Sequence, residues 1–319
     1  MSADPTSEDR AIIVGRTGPA GPFPESLRGE LRRVVRSVER PSVLVRIADM
    51  AGKPFEALLA RLPAPILARM SDVTNVALRG ALMTALLTLR KEGTTRTSEA
   101  RHRTWAMMSG IVGGGGGLPG TLVELPLTTT IILRSIAEIA RSEGEDLSDP
   151  ETQLQCLQVL ALGSPDPADD GADSAYYAAR IAMAQSITAA ARQIAKHGVA
   201  SEGTSVVVKL VNQVAQRFGV ALSDKLAAQA VPMIGGVAGC LLNYAFLKHF
   251  QTVARGHFRI RGWERQYGKG PVQEAYLDEC ERLRLAGQMD RPKVRQARLT
   301  GPAAGDEPGD AARTQASGS

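Results

Sequence analysis

Two stretches of this chain combine a lack of charge with an excess of glycine, and they constrain its fold more than any other feature. Trp105 to Val123 contains no charged residue and reads IVGGGGGLPG through its middle, Ile111 to Gly120. Leu226 to Leu247 is again charge-free and reads VPMIGGVAG from Val231 to Gly239. Each exceeds the roughly 18 residues that raise the question of a membrane span. Both are poor spans, because the first holds seven glycines and a proline, and the second holds Gln229, Asn243 and a central Pro232. A glycine costs a water-exposed helix about 1 kcal/mol relative to alanine. Gly113, Gly114, Gly115, Gly116, Gly117 and Gly120, and Gly235, Gly236 and Gly239 in the second stretch, therefore require neighbours packed directly on their backbone. A close-packed hairpin in a helical core, insertion into a bilayer and a ligand-cradling loop all meet that requirement. Each stretch runs into an apolar helix ending in charge (Leu133-Arg134 and Phe246-Leu247-Lys248), which suggests a pseudo-repeat.

Elsewhere the apolar spacing is helical. Leu27, Leu31, Val34, Val35 and Val38 share one face, with Arg28, Arg32, Arg33 and Arg36 around the others, and Pro41 ends the helix. Further helices are expected over 42–51, 55–61 and 65–91, with a turn at Gly52-Lys53-Pro54, and another helix, capped by Thr97 or Ser98, runs into Trp105. Tyr176, Met183, Ile187 and Ile194 mark a stripe stopped by Gly198. Val207, Val211, Val214 and Phe218 mark another, stopped by Gly219. The acidic group Asp169, Asp170 and Asp173 reads as solvation and an N-cap for the Tyr176 helix. Only Val206 to Val208 resembles a strand, and no strand–helix alternation is present. The predicted fold class is all-α, a multi-helix bundle with two glycine-rich apolar central helices or hairpins. Residues 1–24 and 290–319 lack periodicity and are expected to be disordered tails around a helical domain over 25–289, which divides, if at all, near 163–171.

The net charge of +5 is spread along the chain with acids interleaved, and aromatics are only 4%. A nucleic-acid partner is not expected, since such surfaces gather cations on one face and add stacking rings; mild attraction to anionic lipid suits the charge better. Scarce aromatics also predict a core of Ala, Val, Leu, Ile and Gly. Cys156, Cys240 and Cys280 are far apart, which excludes a disulfide framework and a CxxC metal site and suits a reducing compartment. The first twenty-odd residues lack the basic-then-apolar order of a signal peptide. The expected location is the cytoplasm, peripheral to the inner face of the membrane.

Motifs for chemistry are sparse. Gly115, Gly117 and Gly120 satisfy GxGxxG, but a run of five glycines does so by itself and no strand precedes it. No Walker loop and no GxSxG is present. His102, His197, His249 and His257 form no HxxxH or HExxH pattern, so neither metal nor cofactor is expected. Glu124 stands in apolar surroundings and must be paired, neutral or at a wet cleft. Arg134, Lys225 and Asn243 are its candidate partners, in a buried structural pair or a functional one.

Five ordered landmarks resemble the EcsC protein family: GKPFEALLARLPAPIL from Gly52, GGGGGLPGTLVELPLTTTIILRSIAEIARSEGEDL from Gly113, LALGS from Leu160, SDKLAAQAVPMIGGVAGCLLNYAF from Ser223 and ARGHFRIR from Ala254. They cover roughly residues 43–268. The resemblance implies a helical fold, with Lys53, Pro54, Gly113 to Gly120, Arg134, Lys225, Pro232, Gly235, Asn243, Phe258 and Arg261 as motif positions. It implies no activity. The family's founding member is encoded beside an ABC transporter, and Glu124 departs from the Asp-like acid that the pattern implies. Two functions stay open. One is a non-enzymatic, membrane-associated accessory or interaction protein, linked to transport or secretion, whose partner is a membrane surface or a membrane protein complex. Its membrane-contact candidates are Arg28, Arg32, Arg33 and Arg36, unless that first helix docks on its own core. The other is a hydrolase-type enzyme with a cleft lined by Glu124, Arg134, Lys225 and Asn243. A carrier of a small apolar ligand or lipid is a third alternative.

Overall fold

The computed structural model describes residues 21–39, 80, 117–164, 172–197, 205–229 and 236–289, and all its regular elements among these residues are helices. A 3-10 turn, Glu25–Leu27, leads into α1, Arg28–Val38. The others are α2, Gly117–Ser142; α3, Pro150–Leu162; α4, Ala175–His197; α5, Ser205–Gln229; α6, Gly236–Tyr267; and α7, Lys269–Leu285. The all-α expectation holds. The helices expected over 42–51, 55–61 and 65–91 lie outside the described residues, apart from helical Gly80, as do the Thr97 or Ser98 cap and residues 1–20 and 290–319. Gly113 to Gly116 and Gly235 also lie outside, whereas Gly117, Gly120, Gly236 and Gly239 belong to helices.

Three boundaries differ from expectation. Gly219 does not stop the Val207 helix, because α5 continues to Gln229; one glycine inside a helix costs about 1 kcal/mol, which packing of Val211, Val214, Phe218 and Ala221 in the core readily offsets. The Tyr176 helix is capped by the Ser174 hydroxyl, which accepts the Tyr177 N–H at 3.0 Å, and not by the neighbouring acids. Phe23, assigned by composition to the tail, is 4% exposed and packs edge-on against Trp263 and Tyr267.

The α3 helix explains the compactness of the centre. Asp149 caps it by accepting the Glu151 N–H at 3.0 Å, Pro150 starts it, and every residue from Thr152 to Ala161 is buried. Around it, α2, α4, α5 and α6 contribute one large core; a second apolar cluster joins Phe23, α1, the start of α4, the end of α6 and α7. Few as they are, the aromatics are central: Tyr276, Phe218, Phe246, Phe250 and Phe258 are the largest fully buried side chains. A core of small and aliphatic residues alone is thus not what forms. The aromatic rings fill the wide spaces where helices cross, as in the mutually packed Phe218, Phe246 and Phe250.

α2 and α6 run parallel in a fixed register. Gln251 Nε2 donates to Ser135 Oγ at 2.6 Å, Arg259 meets Glu143 at 3.1 Å and Arg261 meets Glu145 at 3.1 Å, each pair 116 residues apart in sequence. α3 returns antiparallel along α6, through Gln155 to His257 and Gly163 to His249.

Gly256 shows why a small residue is needed on α6. A Cβ there would stand 2.3 Å from Val38 Cγ2, so α1 rests directly on the α6 backbone. Gly256→Ala is expected to destabilise the protein by about 1–3 kcal/mol through overpacking, outweighing the gain in helix propensity. In urea denaturation, the Gly256→Ala, Val38→Ala double variant should cost less than the sum of the two single changes; strict additivity would deny the contact.

Candidate functional site

The richest concentration of polar side chains lies along one face of α6. His257, Arg261, Glu264 and Arg265 recur at helical spacing, and each meets a partner on another element. His257 is fully buried, with Nε2 3.0 Å from Gln155 Oε1 and Nδ1 3.0 Å from the Tyr176 hydroxyl. Carbonyl oxygen accepts, so Nε2–H donates to Gln155 and Nδ1 accepts the Tyr176 O–H. Burial holds the imidazole well below its ordinary pKa and pushes the Tyr176 phenol up. Neither group exchanges its proton near neutrality, and together they act as a neutral strut between α3, α4 and α6.

Beside the strut, Arg180 reaches from α4 to Glu264 with two hydrogen bonds of 2.7 and 2.8 Å. The planar guanidinium matches a carboxylate in this bidentate form, and its carbon lies 5.3 and 5.4 Å from the centres of the Tyr176 and Tyr177 rings. Tyr177 also donates to Glu264 at 3.4 Å.

A third group forms where α2 ends. Gly144, at φ 83°, lets the chain close a Schellman turn: its N–H bonds to the Arg141 carbonyl and that of Glu145 to the Ala140 carbonyl. The turn delivers the buried Glu145 carboxylate to Arg261 at 3.1 Å, to Arg265, and to the Thr152 hydroxyl at 3.3 Å. Burial alone would raise the Glu145 pKa, but the bonds and charges of Arg261 and Arg265 bring it below the ordinary carboxylate range. Glu39, just past the end of α1, accepts from the Ser174 hydroxyl, from Tyr276 at 3.0 Å and from the Ala175 N–H at 3.3 Å. It thereby ties α1 and α7 to the start of α4; burial raises its pKa against these bonds.

These groups touch one another and leave no apposed nucleophile and base open to solvent, so the arrangement locks helices. Spacing alone did not reveal it, because the partners lie far apart in sequence; for example, His257 and Tyr176 are separated by 81 residues, Arg265 and Glu145 by 120, and Glu39 and Tyr276 by 237. The one usable signal was the density of Arg and His in ARGHFRIR, facing the acids of SEGEDL.

The residues singled out from sequence are distributed differently. Asn243 is fully buried in α6, Arg134 is exposed on α2, and the side chains of Glu124 and Lys225 lie outside the described residues. Of the two outcomes open for α1, docking on its own core is observed. Arg28 pairs with Glu25 at 3.1 Å and Asp278 at 3.4 Å, Arg32 with Glu279 at 2.9 Å, and Arg36 donates to Gln288, while Arg33 is exposed. Phe258 and Arg261 are both built into the interior, in the core and in the Glu145 pairing. Among the described residues no group of His, Cys, Asp and Glu could hold a metal ion, and burial raises the Cys156 thiol to about 12, away from thiolate chemistry.

The model of the EcsC protein family matches residues 29–262, and the chain belongs to that family. The match begins inside α1, so this helix is part of the family domain and not an addition before it, as the landmark range starting near 43 implied. No curated protein and no solved structure matches the chain.

Two measurements check that the polar face is a lock. Arg180→Met leaves Glu264 buried without its cation and is expected to cost about 3–5 kcal/mol, while Arg180→Met with Glu264→Leu should cost less, because no charge is stranded. The histidines give the second. His257 and His249 are both held below the ordinary value of 6.5, His249 mainly by burial against its bond to the Gly163 carbonyl. The unfolded chain therefore takes up their protons first as pH falls. The stability they contribute is complete above the unfolded pKa and declines below it, by up to about 1.4 kcal/mol per pH unit for each histidine. Urea midpoints at decreasing pH should show that decline, and it should be shallower in His257→Gln.

Proposed function

We propose that this EcsC-family chain is a non-enzymatic accessory protein that associates peripherally with a membrane through one apolar end of its bundle. The supporting observation is the shared register of α2 and α6. The two helices run parallel, so both start at the same end, and both starts belong to the charge-free glycine-rich stretches. α5 ends at Gln229, with only six residues between it and the start of α6. On α2 charge returns at Glu124 and next at Arg134, which the register brings within two residues of the level of Lys248 on α6, and the ion pairs of Arg259, Arg261 and Arg265 occupy the other end. A bundle polarised in this way is suited to bury its sparsely charged end in an interface and leave its ionic end in water. No helix among the described residues is long and apolar enough to cross a membrane, and the proposed contact is interfacial. The partner class is a lipid surface or a membrane protein complex engaged in transport or secretion.

The non-enzymatic part of the proposal draws on the polar face of α6, whose acids, bases and phenols are bound to one another within the protein. Flotation of the full-length chain with vesicles of phosphatidylethanolamine and phosphatidylglycerol tests the membrane part. The protein should rise with the vesicles and remain bound at about 0.5 M salt, since apolar contact is not screened as surface charge pairing is. A chain that stays at the bottom of the gradient at low and high salt would overturn the proposal.

A further inference from the structure

The one charge in the first half of α4 is turned inward. Arg180 is held by Glu264 at 2.7 Å, so the outer face of the helix carries no charge from Ala175 to Ala191, about 24 Å at 1.5 Å per residue. Ile181, Ala182, Gln185, Thr188 and Ala189 are exposed along it, and Ile181 is 65% exposed. A helix that meets only water carries charge on its outer side. α7 does so, with Glu274, Asp278, Glu281 and Arg282 exposed.

The exposed side chains of α4 recur at the spacing of a seam between two helices. Ala175, Ala182 and Ala189 are seven residues apart, as are Ile181, Thr188 and Ala195. The partner is specified by the charges at the two ends of this face. At its start, Asp173 and Glu281 have side chains 86% and 62% exposed, and they flank one buried guanidinium, Arg284, at 4.0 and 3.9 Å. At its end, Arg192 and Lys196 are exposed and make no ion pair among the described residues. The face is therefore negative at one end, positive at the other and uncharged between. A surface of this kind is complementary to itself when one copy is reversed. A two-fold axis at Gln185 sets Ile181 of each copy against the small Ala189 of the other. The same axis brings the acidic start of each helix beside the basic end of its partner. A parallel pairing would place like charges together.

We propose that the outer face of α4 is the interface of a symmetric homodimer, in which two copies of this helix pack antiparallel about Gln185. The inference does not depend on the apolar end of the bundle, and it is tested without lipid.

Sedimentation velocity of the full-length protein over a concentration series should show a reversible monomer–dimer equilibrium. Ile181→Asp changes an exposed side chain and should leave the urea midpoint as it is, yet weaken the dimer about tenfold or more. Asp173→Lys and Lys196→Asp should each weaken it as well. The two together should recover most of that loss, because opposite charges then face each other again with their signs exchanged. A chain that stays monomeric at every concentration, a dimer indifferent to Ile181→Asp, or a double reversal no stronger than either single change would each refute the arrangement.

Discussion

A carboxylate taken out of water must be matched by positive charge, and at Glu145 that demand organises the bundle. Its side chain is only 4% exposed and is met by Arg261 and Arg265 of α6. Removing a buried ion's partner is far more costly than losing an exposed pair. The turn carrying Glu145 therefore has one acceptable position against α6. Gly144 makes the turn possible, since its φ of 83° is strained for other side chains. With the end of α2 pinned there, the offset between the two helices follows along Glu143 with Arg259 and Ser135 with Gln251.

That register has consequences at both ends. Towards the ionic end, α6 becomes the shared wall of α1, α3, α4 and α7. His257, Glu264 and Arg261 each take a partner from a different neighbour, which suppresses sliding of one helix past another. Such buried polar links add specificity more surely than they add stability. Towards the other end, α2 and α6 both begin within the glycine-rich stretches.

Much of the helical content was legible because burial imposes a period. Leu31, Val35 and Val38 on α1, and Tyr176, Met183, Ile187 and Ile194 on α4, are spaced for one face, and all are buried. Stop signals were less dependable. Gly219 lies inside α5, because the apolar face continues past it and core packing outweighs a local preference. The cap of α4 was misplaced by proximity: three acids are conspicuous in the sequence, yet the hydroxyl of Ser174 stands nearest the free N–H groups. The polar lock was invisible for a different reason. Its members are ordinary Arg, Glu, His and Tyr residues, and only the return of α3, α4 and α6 to one place makes them neighbours.

By itself the sequence determined an all-helical chain of the EcsC family, because period, glycine placement and ordered landmarks are properties of the linear order. It also marked the two charge-free stretches and the cationic first helix. Only the tertiary structure decided where those charges go. Arg28 and Arg32 satisfy acids of α1's own approach and of α7, and Arg36 hydrogen-bonds Gln288, while Arg33 is left facing a cleft. The physical reason is that an amphipathic helix has a polar side with several directions. Which of them meets protein and which meets solvent depends on how the helix rolls when Val38 settles against Gly256.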